Sequence, residues 1–226
     1  MRVMIILALL SFSLTNCNNA NQPSAQNSTD TSKVFETTTP NVANDEIYAT
    51  EILCDTVYEN KGYKITLVRF NSTNKNETIP NTLFTLSKLT NGQYIPIYSD
   101  SIFSESHGVT FEDFNNDKVT DILVRHTFDV RSNSHYYLYL IDTVQDKLKK
   151  IKGFEEIKNP NYLPQYDLID NYVMSGQIWT SFYKIKGDTL RDYNIVIYDD
   201  QTEGGSYDRD YKKAIKSILA IEKGSR

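Results

Sequence analysis

Apolar and polar residues alternate along most of the chain from Glu46 onward. Alternation with a period of two predicts half-buried β-strands, and turn-forming residues separate the alternating segments. The predicted strands cover residues 64–70, 81–89, 94–100, 108–114, 121–130, 135–142, 147–154, 177–188 and 189–200. Strands at this spacing predict an all-β, antiparallel domain built as a sandwich, a barrel or a propeller-like sheet.

Short connections between these strands predict hairpins. Asn91-Gly92 is a signal for a tight two-residue turn, and Gly187-Asp188 marks a second turn. Residues 135–142 and 147–154 are expected to pair across the four residues between them. These hairpins support the antiparallel assignment.

Two segments depart from the alternation. Residues 153–171 contain Pro160 and Pro164, and we expect a helical turn at 154–158 followed by an irregular excursion. The C-terminal segment fits two structures. A helical face is formed by Tyr211, Ile215, Ile218 and Leu219, whereas residues 215–221 also suit a final strand, and the strand is favoured.

The first residues predict export. Arg2 precedes an apolar run over residues 3–10, which is too short to span a bilayer and is typical of a signal peptide. The segment LTNC at 14–17 resembles the lipobox of bacterial lipoproteins, which implies lipidation of Cys17 and a membrane anchor. Asn16 stands where that motif usually has a smaller residue, so plain secretion with cleavage near Ala20 is the alternative.

The segment that follows is polar. Residues 18–45 are rich in Asn, Ser, Thr, Gln and Pro and contain few apolar side chains. Such a composition cannot bury enough apolar surface to fold, which predicts a disordered tether. The predicted organisation is therefore a signal peptide and lipobox over 1–17, a tether over 18–45 and one β-rich domain over 46–226.

Charge and cysteine content narrow the function. The net charge is −5, and basic residues are scattered among acidic ones, which argues against a nucleic-acid partner. Beyond Cys17 the chain has one cysteine, Cys54, which cannot form an internal disulfide and is predicted to be a small buried hydrophobe. The three histidines lack zinc-ligand spacing and are predicted to be surface or hydrogen-bonded polar residues.

An acidic bend between two predicted strands carries the main chemical signal. In the segment DFNNDKVTD, residues 113–121, the first, third, fifth and ninth positions are Asp113, Asn115, Asp117 and Asp121. The seventh position is Val119. Side-chain oxygens at those positions and a backbone carbonyl at the seventh form the ligand pattern of a calcium loop. Calcium is a hard cation that prefers oxygen ligands, so the sequence predicts a calcium site at these five residues.

One position of the bend departs from calcium loops. Lys118 occupies the sixth position, where glycine is usual because the turn needs a positive φ. Keeping that conformation with a lysine costs roughly 1 kcal/mol. The alternative is an Asx-rich turn whose carboxylates are hydrated or accept backbone N–H groups.

The pattern D-x-N-x-D-x-x-x-D followed by ILV resembles the calcium loop of FG-GAP and VCBS-type propeller repeats. The order of later motifs is similar to that of a family of bacterial envelope lipoproteins with one such loop: HYYLYLID at 135–142, Asn159-Pro160 and Gly187-Asp188. The resemblance implies a partial β-propeller-like sheet domain with bound calcium. Some members of that family are immunity proteins, which inhibit peptidoglycan hydrolases injected by competing bacteria.

We therefore expect a non-enzymatic cell-envelope lipoprotein, periplasmic or surface-facing and attached to the membrane through its lipid anchor. Its expected partner is a peptidoglycan-hydrolase effector, which it would inhibit as an immunity protein. One alternative is a purely structural lipoprotein. The other is a glycan-binding or hydrolytic surface protein. Trp179, Phe182 and Tyr183 could form a sugar-stacking platform for that alternative, although a core location is favoured for them.

Overall fold

A computed structural model of the chain describes residues 35–36, 48–71, 73, 75–200 and 205–224. These residues belong to one compact unit, 32–226. The predicted signal peptide, Cys17 and most of the predicted tether lie outside the described residues. Among the described residues, no helix has the length and apolar character needed to cross a bilayer.

The described residues are mainly antiparallel β-structure, as the alternation predicts. They form thirteen strands: β1 (Phe35–Glu36), β2 (Tyr48–Leu53), β3 (Tyr63–Arg69), β4 (Thr82–Thr90), β5 (Gln93–Ile102), β6 (Val109–Glu112), β7 (Asp121–Phe128), β8 (Ser134–Asp142), β9 (Lys147–Ile151), β10 (Pro160–Leu163), β11 (Leu168–Asn171), β12 (Ile178–Lys186) and β13 (Thr189–Asp199). Strand β1 lies within the predicted tether and pairs with β2.

The strands form three separate sheets in which each strand pairs with the next one along the chain. The first sheet has the order β1-β2-β3-β4-β5, the middle sheet β6-β7-β8-β9 and the third sheet β10-β11-β12-β13. None of these sheets closes into a barrel. The predicted hairpin at Asn91-Gly92 is confirmed: both residues have positive φ, 50° and 81°, as a tight turn between twisted strands requires.

The segment 153–171 is more regular than predicted. The expected helical turn is present as a 3₁₀ helix, Phe154–Glu156. The predicted irregular excursion is wrong, because β10 and β11 form a hairpin there. Pro160 is compatible with a strand because it is the first residue of β10, which lies at the edge of the third sheet.

The C-terminal segment is a helix, α1 (Tyr207–Gly224), so the predicted final strand over 215–221 is wrong. Its buried residues are Ala214, Ile215 and Ile218, which share one helical face. They pack with Leu168 and Phe182 of the third sheet. The helical period prevails because it places these apolar side chains together on a sheet face that needs cover.

The middle sheet is buried on both faces. Ile122 and Tyr139 belong to the core shared with the first sheet, where the rings of Tyr139 and Phe84 stack with centroids 4.6 Å apart. Leu123 and Leu138 belong to the core shared with the third sheet. This double burial explains why β7 and β8 contain nearly continuous apolar runs.

The prediction for Cys54 is confirmed, since the residue is fully buried in the core between the first and middle sheets. Burial raises the pKa of its thiol to about 12. A thiol with that pKa holds almost no thiolate at neutral pH, so Cys54 is a packing residue.

Candidate calcium loop

The acidic bend connects β6 to β7 in the middle sheet. Glu112 and Asp121 are the last paired residues of this hairpin, and residues 113–120 form the loop between them. Both flanking elements are strands, as the sequence predicts. The site therefore lies at one end of the sheet that has both faces packed in cores.

Asp113 organises the loop backbone. Its Oδ1 accepts the N–H groups of Asn115 and Asn116 at 3.1 and 2.6 Å, and its Oδ2 accepts that of Lys118 at 3.0 Å. Asp117 does the same further along, with Oδ1 accepting the N–H of Val119 at 2.7 Å. Carboxylates that bind successive amides curl the chain back on itself, which is what an oxygen-lined loop requires.

The loop backbone has positive φ at two non-glycine residues, Asn116 at 59° and Lys118 at 72°. The expected left-handed conformation at Lys118 is thus present. Its side chain is exposed, and Nζ donates to Oδ1 of Asn116 at 2.5 Å. Asparagine adopts this conformation readily, whereas lysine does so at a cost of roughly 1 kcal/mol.

Asp121 connects the loop to the core through hydrogen bonds of its carboxylate. It is fully buried, and its Oδ2 accepts the N–H of Phe114 at 2.9 Å while Oδ1 accepts that of Ile141 at 3.1 Å. Burial raises the pKa of this carboxyl to about 7, against the effect of these two backbone hydrogen bonds. The negative charges of Asp117 and Asp113 raise it further.

No lysine or arginine among the described residues forms an ion pair with Asp113, Asp117 or Asp121. Three carboxylates at one bend therefore repel one another without a compensating cationic side chain. A buried carboxylate in such surroundings favours either protonation or the binding of a cation.

The donor chemistry of the loop fits calcium, although its acidic side chains do not converge. In the part of the chain that the structure describes, no three or more His, Cys, Asp and Glu side chains could hold a metal ion together. The predicted ligand set also uses the amide oxygen of Asn115 and the carbonyl of Val119. An ionised carboxylate offers about four acceptor sites, and Asp117 and Asp121 each use two of theirs. The assignment of the five ligands stays a prediction.

An open cavity of about 550 Å³ lies beside the loop. Asn115, Asp117 and Val119 line one side, and residues of β8, β9 and their connecting turn line the other. The outer ligand candidates are therefore accessible from solvent, whereas Asp121 is buried behind them.

Side chains of the first sheet and its loops form hydrogen bonds with the acidic loop and with the β8–β9 turn, next to this cavity. Asp146 in the β8–β9 turn accepts the hydroxyl of Tyr63 and the Nζ of Lys88, each at 2.6 Å. The hydroxyl of Tyr58 donates to the carbonyl of Thr120 at 2.6 Å. Sequence patterns alone do not reveal these contacts, because the partners are separated by 58 to 83 residues.

The histidines differ in part from their prediction. His107 is buried and hydrogen-bonded, with ring nitrogens 3.2 and 3.3 Å from the hydroxyls of Thr50 and Thr82. His126 is buried and packs against the rings of Phe103 and Tyr137, and its ring nitrogens have no hydrogen-bond partner among the described residues, so the predicted surface or hydrogen-bonded role is wrong there.

The aromatic platform, which is the less favoured alternative for Trp179, Phe182 and Tyr183, does not form as a unit. Phe182 is fully buried and packs with the C-terminal helix, as the core interpretation expects. Tyr183 packs against the core shared by the middle and third sheets, and the pairing of β12 with β13 shifts register between Ser181 and Tyr183. Trp179 instead pairs across the strands with Tyr198.

Comparison of the chain with protein-family models, curated proteins and solved structures gives no significant match. The resemblance to FG-GAP and VCBS-type repeats rests on the loop and on the order of the later motifs.

Proposed function

We propose that this protein is a non-enzymatic cell-envelope protein whose Asp113–Asp121 loop binds calcium. One observation carries the proposal: three aspartates lie at one strand-to-strand bend, one of them fully buried, and none has an ion-pair partner among the described residues. A divalent cation would relieve both the mutual repulsion and the burial of uncompensated charge.

Five residues would hold the ion. Asp113, Asn115, Asp117 and Asp121 would supply side-chain oxygens, and Val119 would supply its carbonyl. When bound, calcium provides positive charge and a preference for six to eight oxygen ligands, some of which can be water. Asp121 would connect the site to the fold, because its carboxylate also holds the backbones of Phe114 and Ile141. The role of the ion in this proposal is structural.

The order of the strands supports a propeller-like arrangement of the three sheets. The middle and third sheets each contain four strands that are consecutive in sequence, an arrangement typical of a propeller blade, and the first sheet contains β2 to β5 with the two-residue strand β1 added at its edge. The middle sheet packs one face on each neighbour, as adjacent blades do. We therefore propose an open, partial β-propeller-like domain with the calcium loop between the first two strands of its middle blade.

The envelope location rests on the N-terminal pattern, in which a signal peptide ends at Cys17 and a lipid on that residue provides the membrane anchor. The role as an immunity protein that inhibits a peptidoglycan hydrolase rests on the motif order shared with envelope lipoproteins. Two local arrangements support a non-enzymatic role. Ser104 Oγ donates to the carbonyl of Arg125, and the ring of His107 bonds to threonines, so the two residues do not form a nucleophile–base pair.

Calorimetric titration of the full chain with calcium tests the metal site. We expect saturable binding that is lost in Asp113→Ala and Asp117→Ala and kept in Glu112→Gln, which removes a neighbouring charge outside the ligand set. Equal calcium binding by all four proteins would overturn the loop assignment.

Lysis of purified cell walls tests the partner. We expect the full chain to slow lysis by a lysozyme-type hydrolase in a concentration-dependent manner. An unchanged rate at saturating protein would remove the inhibitor role, and the calcium site would be judged separately by the titration.

A further inference from the structure

Helix α1 carries a continuous cationic face. Its exposed basic residues are Arg209, Lys212, Lys213, Lys216 and Lys223. Residues at these spacings fall within an arc of about 100°, because each helical residue turns by about 100°. No acidic residue lies within that arc, and the remaining position in it is Ala220. We call this surface the cationic stripe.

The cationic stripe lies opposite the face of the helix that packs on the third sheet. Ala214, Ile215 and Ile218 are buried and define that inner face. The helix therefore presents the stripe outward while its apolar side chains are occupied in the core. Contacts of the stripe with another body would be electrostatic, since no large apolar residue belongs to it.

Most of the basic side chains of the stripe are not paired with acidic side chains of the described residues. Arg209 contacts Asp210 at 3.3 Å, whereas the four stripe lysines form no ion pair among the described residues. The acid near the end of the helix, Glu222, pairs instead with Lys186 and Arg191, both at 2.8 Å. This concentration of positive charge occurs in a chain whose net charge is −5.

We propose that the cationic stripe docks on the surface of an anionic phospholipid membrane. Charge complementarity argues for such a surface. Each lysine or arginine of a cluster raises the affinity for a membrane with anionic headgroups by about fivefold. The shape also fits: residues 209 to 223 span about 21 Å along a straight helix, which can lie flat on a plane. Lysine is depleted from protein–protein interfaces, which makes a protein partner the poorer fit.

This docking goes beyond the calcium loop and would add to the anchor proposed at Cys17. A lipid on Cys17 would hold the chain near a membrane, and the stripe would orient the domain on that surface. Because the attraction is between exposed charges, it should weaken as salt screens it. Docking of the stripe rests on the proposed envelope location of the protein. It does not depend on calcium binding by the loop.

The test measures co-sedimentation of the full chain with vesicles, with chelator present throughout. Vesicles of phosphatidylcholine and phosphatidylglycerol are compared with vesicles of phosphatidylcholine alone. The stripe variant is Lys212→Gln with Lys216→Gln, which keeps good helix formers in α1. The matched control is Lys75→Gln with Lys149→Gln, which removes two exposed lysines elsewhere. All proteins share the same N-terminal residues, so differences between them report on the substituted positions.

We expect tighter binding to the anionic vesicles, a loss of about 25-fold in the stripe variant and a change of less than about twofold in the control. Circular dichroism should show the same helical signal in both variants. Equal binding to neutral and anionic vesicles, or equal losses in the two variants, would overturn the proposal. Failure of calcium binding in the separate titration would leave this result unaffected.

Discussion

The carboxylate of Asp121 accepts the backbone N–H of Ile141 at 3.1 Å. This contact joins the last residue of the candidate calcium loop to the neighbouring strand β8. The other carboxylate oxygen accepts the N–H of Phe114, so one buried side chain holds three parts of the middle sheet together.

The substitution Asp121→Ala should destabilise the protein strongly even without metal. It leaves two buried backbone N–H groups without their acceptor, and each such loss costs about 1–3 kcal/mol. Urea unfolding in chelator measures the change. Glu112→Ala, at an exposed neighbouring position, serves as the control and should shift stability by less than about 0.5 kcal/mol. Matching midpoints for the two variants would contradict the hydrogen bonds assigned to Asp121.

Calcium should stabilise the wild-type protein and leave Asp117→Ala nearly unchanged. An ion that binds the native state alone adds about 2.7 kcal/mol at a hundredfold excess over its Kd. Thermal unfolding in calcium, in magnesium and in chelator measures the effect. An identical melting temperature in calcium and in chelator for the wild type would count against the metal site.

Replacing Lys118 should separate backbone strain from side-chain effects. Lys118 has a φ of 72°, and its backbone N–H donates to Oδ2 of Asp113, a hydrogen bond that does not use the lysine side chain. Lys118→Gly should therefore be more stable than Lys118→Ala by about 1 kcal/mol, because both lack the lysine side chain and alanine alone retains the strain. Calcium affinity should follow the same order. Equal stability of the two variants would indicate that this conformation carries no cost.

Stability should fall in mild acid because of His107. Burial lowers the pKa of its ring to about 4, and the charge of Arg69 contributes. The unfolded chain then binds the proton more tightly than the folded protein, so the stability contributed by neutral His107 is complete above the unfolded pKa of about 6.5 and is lost as pH falls towards 4. The full effect is about 3 kcal/mol.

The matched variant for that experiment is His107→Asn. His107 has a φ of 41°, which asparagine tolerates, and an amide does not titrate in this range. Urea midpoints between pH 4 and pH 7 should show a smaller slope for the variant than for the wild type. Parallel pH profiles would show that another group causes the acid sensitivity.

The alternating pattern was sufficient to predict most of the strands, the hairpin at Asn91-Gly92 and the strand–loop–strand setting of the acidic bend. These features depend on neighbours in sequence: side-chain periodicity, turn residues and the spacing of aspartates. The hairpin of β10 and β11 was missed because prolines usually interrupt strands. Pro160 is tolerated at the start of an edge strand, where a missing N–H costs no ladder bond.

The sequence by itself determined the antiparallel strand pattern and the oxygen-rich loop, because both depend on the spacing of residues that are close together in the sequence. Only the tertiary structure decided that the segment from Tyr207 to Gly224 is a helix, since its apolar residues suit either period until the third sheet offers a face to cover. Formation of the helix also places the basic residues of the cationic stripe on one face. The predicted strand over 215–221 contains one of these basic residues, Lys216, whereas the helix brings Lys212, Lys213 and Lys216 to one side.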